Sequence, residues 1–265
     1  MDLQLKDKVV LVTGGTKGIG FAAATTFANE GAQLIITAST DQSLQLAASK
    51  IENSCGVQPD TYLCDVTSDE AVTNLAATLK AKYGRVDVLV NNAAGKLPTG
   101  DFLNIDSQVW LDGWNQKLQC YVRMVQAIFP IMQTQGGGRI VNVVGTAARN
   151  PKASYMAVGM TNAALINFNK TLADRGAADN ILVVGVAPSG VRTERWERLT
   201  KGRAEGEGKS QPQLQAEIDA TLPLGRMAEA EEIGDVICFM ASPRASYISG
   251  SIIIVDGNST QGVFN

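Results

Sequence analysis

Short apolar runs alternate along the chain with longer stretches in which apolar side chains recur every three or four positions. The first run opens VVLVTGGTKGIG at residues 9–20 and leads into a helical pattern from Ile19 to Glu30. The same alternation predicts strands at Gln33 to Thr37, Thr61 to Asp65, Val86 to Asn91, Arg139 to Val144, Ile181 to Ala187 and Ile252 to Val255. Between them it predicts helices from Asp41 to Asn53, capped by Ser39 or Thr40, and from a Thr67/Glu70 capping box to Tyr83. Further helices are expected from Gln108 to Met132, closed by glycines 136–138, from Ser154 to Arg175, and from Glu229 to Ala241. Residues 189–225 hold charge, glycine and two prolines, and read as a mobile excursion over a ligand site. Strands that alternate with helices form βαβ units, so the chain is expected to build an α/β fold around a parallel sheet.

Glycines 14, 15, 18 and 20 sit between the first strand and its helix. A buried strand that turns on glycines into a helix aims backbone N–H groups and the positive helix end at one point, where a diphosphate can sit. The turn needs positive φ, the backbone must approach the ligand, and strand and helix must pack closely, so side chains there would collide. The spacing is G-x-x-x-G-x-G, and a tight turn holding no ligand has the same signature. The other strand ends decide between the two. Ala38–Thr40, Asp65–Val66, Asn91–Gly95, Val144–Thr146 and Pro188–Thr193 are polar, small or glycine-bearing. Open parallel sheets bind beyond the carboxyl ends of their strands, and with Thr13–Gly20 these tips would line one crevice.

Composition narrows the chemistry. The chain of 265 residues suits one α/β domain spanning 1–265, and a net charge of -3 offers no basic footprint for nucleic acid or a lipid surface. No apolar stretch reaches membrane-spanning length, and MDLQLKDK at the N-terminus lacks the apolar core of a secretory signal, so a cytoplasmic location is expected. Four cysteines without metal spacing fit reduced thiols. The absence of histidine matters most, because it removes imidazole bases, histidine triads and most zinc sites at once. Acid-base work must fall to Tyr, Lys, Asp, Glu or Cys, or to a cofactor.

TGGTKGIG at 13–20, Asp65-Val66, NNAAG at 91–95, APSGVRT at 187–193, PLGR at 223–226 and SYISG with VDG near the end resemble the short-chain dehydrogenase/reductase family, in the same order over essentially the whole chain. The resemblance implies one doubly wound (Rossmann) domain with seven parallel strands flanked by helices on both faces. It also implies a nicotinamide cofactor, a small-molecule substrate, and a homodimer or homotetramer packed through 108–132 and 154–175. By the same resemblance Gly14, Thr16, Lys17, Gly18, Ile19 and Gly20 hold the diphosphate, Asp65 and Val66 border the adenine, Asn92 and Ala93 run along the ribose, and Val191 and Thr193 meet the carboxamide.

The family's Asn-Ser-Tyr-Lys tetrad is absent. Register puts its Asn at Lys117, its Ser at Gly145, its Tyr at Val158 and its Lys at Asn162. Valine cannot donate a proton, and Gly145 offers only its backbone N–H. The amine and the amide look exchanged between helices, and Tyr155 precedes Val158 by three residues, one turn earlier on roughly the same face. The expected acid-base group is therefore Tyr155 as proton donor, Lys117 as the cation that lowers its pKa, and Asn162 as a positioning or water-holding group. The competing expectation makes Tyr155 a packing tyrosine, turns Lys117 outward, and uses Asn162 to satisfy a backbone group.

At the end of the second strand, where an NAD site carries a carboxylate, stands Ala38, while Lys17 and the hydroxyls of Ser39 and Thr40 suit a 2'-phosphate. NADP is expected ahead of NAD. The segment 194–215 resembles the family's substrate-closing element, with charges too balanced to identify the substrate. The leading expectation is an NADP-linked oxidoreductase acting on a carbonyl, alcohol or enoyl compound; the alternative is a cofactor-binding pseudoenzyme or sensor.

Overall fold

The computed structural model describes residues 1–261, so the last four positions of the expected 1–265 domain lie outside the described residues. Its strands are β1 (Val9–Thr13), β2 (Gln33–Ala38), β3 (Asp60–Leu63), β4 (Val88–Asn91), β5 (Gly138–Val143), β6 (Ile181–Pro188), β7 (Val191–Arg192), β8 (Ala228–Glu229) and β9 (Ile252–Val255). Seven of them form one parallel sheet in the order β3-β2-β1-β4-β5-β6-β9, and β7 pairs with β8 beside it. Strand order reverses between β1 and β4, which opens a crevice at their carboxyl ends.

Alternation along β1 sends Val10 and Val12 to one face and Val9 and Leu11 to the other. The first face is covered by α1 (Gly18–Asn29), α2 (Asp41–Cys55) and α9 (Ala230–Ala241), through Phe27, Ile51 and Ile237. The second is covered by α3 (Asp69–Tyr83), α5 (Cys120–Thr134) and α6 (Met156–Gly176), through Leu79, Ile128 and Leu172. Burial on both faces is why the strands read as continuous apolar runs. Among the described residues no helix is long and apolar enough to cross a membrane.

Four expectations need correction. The helix expected over 108–132 is α4 (Ser107–Trp114), a π-turn at Asn115–Gln119, then α5. The helix expected from Ser154 begins at Met156, preceded by a separate tight turn at Ala153–Tyr155. The cap of α3 is Ser68, whose hydroxyl accepts from Ala71 N at 3.2 Å, while Thr67 bonds to Asp65; at α2, by contrast, the cap position is held by Thr40, one of the two expected, without a side-chain bond to the helix. Finally, most of residues 189–225 are folded as α7 (Glu194–Gly206) and α8 (Gln211–Ala220). Thr193 caps the first and a Ser210/Gln213 capping box starts the second. Arg203 with Glu207, and Lys209 with Glu217, show that much of the charge run is the wet side of helices.

Candidate active site

The turn after β1 is held from β4. Thr13 Oγ1 accepts from Asn92 N at 3.0 Å and Ala93 N at 3.1 Å, and donates to Val90 O at 3.1 Å. Asn92 Nδ2 donates back to Thr13 O and Gly14 O, each at 3.1 Å. Gly14 and Gly18 have φ of +63° and +52°, where a side chain is strained. A Cβ on Gly20 would stand 2.3 Å from both Asn92 Nδ2 and Gly14 O. Lys17 precedes α1 in extended conformation, and no side chain caps the helix. The leading N–H groups of Gly18, Ile19 and Gly20, directly after Thr16 and Lys17, therefore have no side-chain cap, an arrangement that fits an anionic diphosphate.

Around this turn the other expected cofactor residues are placed as follows. Ser39 and Thr40 are exposed at the end of β2, and Lys17 Nζ lies 3.7 Å from Glu194 Oε2, with both side chains mostly in solvent. No carboxylate stands at Ala38. The Asp65 carboxylate accepts from Thr67 N at 2.9 Å and Thr67 Oγ1 at 2.7 Å, and these bonds hold its pKa below the usual range. Val66 O accepts from Arg123 Nη1 at 2.9 Å. Val191 is buried and pairs with Ala228. Thr193 presses its methyl against Gly18, 3.1 Å from where a Cβ would stand, and its hydroxyl accepts from Trp196 N at 3.3 Å. Accepting leaves the hydroxyl proton able to donate to a carbonyl oxygen.

Of the three residues expected to form the acid-base group, Lys117 sits inside the π-turn, a helix irregularity often found at functional sites. Gln116 of the same turn accepts from Lys96 N at 2.8 Å through its side chain and from Gly95 N at 3.0 Å through its carbonyl, which fixes the turn to the NNAAG loop. Cys120 Sγ donates to Lys117 O at 3.1 Å. Burial, and more weakly the positive charge of Arg195, pull the Lys117 ammonium down to about 8, partly opposed by Cys120.

Tyr155 is 44% exposed and caps α6 from its tight turn, so it stands at the helix entry rather than within the helix. Asn162 is buried, with its amide engaged at both ends. It accepts from Gly145 N at 2.8 Å and donates to Val158 O at 2.8 Å. The amide thus ties the end of β5 to α6, the backbone-satisfying use that the sequence also allowed, and it takes up the Gly145 N–H.

Sequence reasoning missed several residues. A buried amide chain runs from Asn91 Nδ2 to Asn142 Oδ1 at 3.0 Å, from Asn142 Nδ2 to Asn169 Oδ1 at 3.1 Å, and from Asn169 Nδ2 to Ser251 O at 3.3 Å, crossing β4, β5, α6 and the entry to β9. Asn91 and Asn142 stand opposite each other in register, and strand pairing was the signal that could have linked them. Gln116 and Arg195 carried no sequence signal of their own.

A doubly wound parallel sheet with a glycine cradle at its switch point defines a dinucleotide-binding fold. The chain matches the family described as Enoyl-(Acyl carrier protein) reductase over residues 14–260. It is 30% identical over 255 residues to Dehydrogenase/reductase SDR family member 4 of Homo sapiens, covering 96% of this chain and 88% of that one. It is 31% identical over 258 residues to the 3-oxoacyl-[acyl-carrier-protein] reductase FabG of Escherichia coli, covering 96% and 98%. Among solved structures, L-sorbose reductase from Gluconobacter frateurii, complexed with NADPH and L-sorbose, superposes with a TM-score of 0.94 at 30% identity, covering 99% of this chain and 100% of that one. The chain belongs to the short-chain dehydrogenase/reductase family.

Proposed function

We propose that this protein is an NADP(H)-dependent oxidoreductase acting on a carbonyl, alcohol or enoyl group of a small molecule. The observation that carries the reading is the cradle of Gly14, Gly18 and Gly20, closed by Asn92 and Thr193 and admitting no side chain. The family membership and the NADPH bound by L-sorbose reductase support it. Lys17, Ser39 and Thr40 would take the 2'-phosphate, Asp65 and Val66 the adenine, Asn92 and Ala93 the ribose, and Val191 and Thr193 the carboxamide. When bound, the reduced cofactor supplies a hydride.

What remains for this chain is the proton. Reduction of a carbonyl would leave negative charge on its oxygen, and a side chain of this protein must bring a proton to it. Tyr155 is the proposed donor, with Lys117 as the cation that favours its ionised form and Asn162 fixing the backbone beneath them. Two features favour a second reading in which Lys117 donates directly: its surroundings lower its pKa to about 8, and Tyr155 is nearly half exposed. A homodimer or homotetramer in the cytoplasm completes the proposal, supported by exposed Val109, Leu111, Met156 and Met160 on α4 and α6.

The test is a fluorescence titration with NADPH and NADH, followed by a screen of carbonyl and enoyl substrates. NADPH binding tighter than NADH, with turnover, is expected. No binding of either would overturn the reading, and binding without any turnover would leave the pseudoenzyme or sensor.

A further inference from the structure

At the amino-terminal end of the sheet, the opposite end from the cofactor crevice, lies a cavity of about 340 Å³ whose wall includes Lys8, Arg85, Asp87, Val88 and Arg139. That volume is at the lower end of the range for small-molecule sites. Strand register explains how two cations far apart in sequence come to share it. Val10, Val88 and Arg139 are successive partners across β1, β4 and β5. Val10, Val88 and Val141 pack on the face that α9 covers, so alternation puts Lys8 and Arg139 on that same face, two strands and about 10 Å apart.

Arg139 is the anchor. Only 9% of it is exposed, and its Nη1 donates to Met240 O at 3.0 Å and Ala245 O at 3.2 Å, at the carboxyl end of α9. Both bonds come from one nitrogen of a guanidinium that has N–H groups on all of them. Among the described residues Nε and Nη2 donate to no protein acceptor, yet they are not sealed from solvent: the buried polar atoms without partners are Thr37 Oγ1 and Arg149 Nη1. The remaining N–H groups of Arg139 are thus accessible on the wall of the cavity. Burial lowers its pKa, and no carboxylate holds it up.

The charge on this wall is unbalanced. Among the described residues its one carboxylate is Asp87, which is already engaged: Oδ2 accepts from Val9 N at 2.8 Å and Arg85 Nε at 3.0 Å, and Oδ1 pairs with Arg85 Nη2. Neither Lys8 nor Arg139 forms a salt bridge among the described residues. The cavity between α3 and α5 differs, because its Arg123 is occupied by Asp69, Val66 O and Asn115 Oδ1. At the sheet end a planar fork and a point charge are left without counter-charge, and such a wall attracts an anion. Two unmatched cations suit a dianion, and a phosphate monoester carries about −1.5 to −2 charge at neutral pH where a carboxylate carries only one.

We infer that this cavity binds a phosphate group, free or carried on a small ester, with Arg139 as the buried anchor and Lys8 as the second cation. An occupant would join the starts of β1 and β5 to the end of α9 and stabilise the fold by mass action. The site is independent of the oxidoreductase reading, since it stands at the other end of the sheet.

The experiment is calorimetric titration at fixed ionic strength with inorganic phosphate, glycerol 3-phosphate and, as the neutral control, glycerol. It is run with saturating NADP⁺ and again in Gly20→Ala, so that the glycine cradle is filled in one case and disabled in the other. Saturable binding of at least one phosphate and none of glycerol is expected, with a matching rise in Tm. Lys8→Gln should weaken that binding by about 10-fold, the value of one charge-assisted hydrogen bond. Arg139→Lys keeps the charge, loses the fork and should weaken it at least as much. Lys8 is half-buried ahead of β1, and its variant keeps the test decisive if Arg139→Lys does not fold. Tighter binding of glycerol 3-phosphate identifies an ester as the occupant, and equal or weaker binding of the ester identifies the free ion. No saturable binding of either, binding unchanged in a folded variant, or binding that disappears when the cradle is filled or disabled, overturns the inference.

Discussion

The two halves of the crevice are built by different means. The cofactor half is made of backbone: glycines 14, 18 and 20 fix the turn's path, and Thr13 and Asn92 hold it to β4 with five hydrogen bonds, each 3.0 to 3.1 Å long. The half proposed here for proton transfer is made of side chains on three separate elements, Lys117 in the π-turn, Asn162 in α6 and Tyr155 at the entry to α6. Steric exclusion makes the first half intolerant of change. The second half was open to rebuilding, because a proton can be delivered by any group with a suitable pKa that reaches the oxygen.

The comparison breaks most readily at Gly20. Gly20→Ala places a Cβ 2.3 Å from two atoms of the cradle, and NADPH binding should fall by 100-fold or more, with a lower Tm. Undiminished binding in a fluorescence titration would mean the turn does not grip the cofactor.

Tyr155→Phe comes next and sharpens the other half. A loss of kcat of about 10²-fold or more is expected if the phenol donates the proton, with NADPH affinity unchanged. Unchanged kcat would transfer that role to Lys117.

Asn162→Ala should act on stability more than on chemistry. It strands the Gly145 N–H and Val158 carbonyl contacts, and a loss of about 1–3 kcal/mol in denaturant unfolding is expected. A large fall in kcat at unchanged stability would restore the water-holding role expected from the sequence.

The smallest effect belongs to Thr193→Val, which keeps the methyl against Gly18 and removes the cap of α7. About 1 kcal/mol of stability and a few-fold rise in KM for NADPH are expected. Unchanged values in both would show that the hydroxyl serves neither helix nor cofactor.

The same contrast explains what the sequence revealed. Apolar runs with both faces buried made β1, β2, β5 and β6 legible to within a residue or two, and glycine spacing marked the cradle, because backbone constraint leaves its trace in residue type. The π-turn left none: NQKLQ continues the helical pattern of its neighbours, so one extra residue per turn cannot be read from periodicity. Asn162 was recognisable as a buried amide candidate, but its partners, Gly145 N and Val158 O, depend on how β5 meets α6. Which of the charges between 192 and 209 pair, such as Arg203 with Glu207, depends on how α7 and α8 fold.

Lys117 decides the account, since both readings of proton transfer need its positive charge. Its pKa is lowered to about 8, so it is protonated below that pH and neutral above it. The measurement is kcat/KM for NADPH-dependent reduction across pH 6–10, in wild type and Lys117→Met. Wild type should hold a plateau below pH 8 and fall about tenfold per unit above it, while the variant is slow throughout and lacks that limb. A wild-type profile flat through pH 10, or a variant as fast as wild type, would contradict the claim that proton transfer here is organised around Lys117.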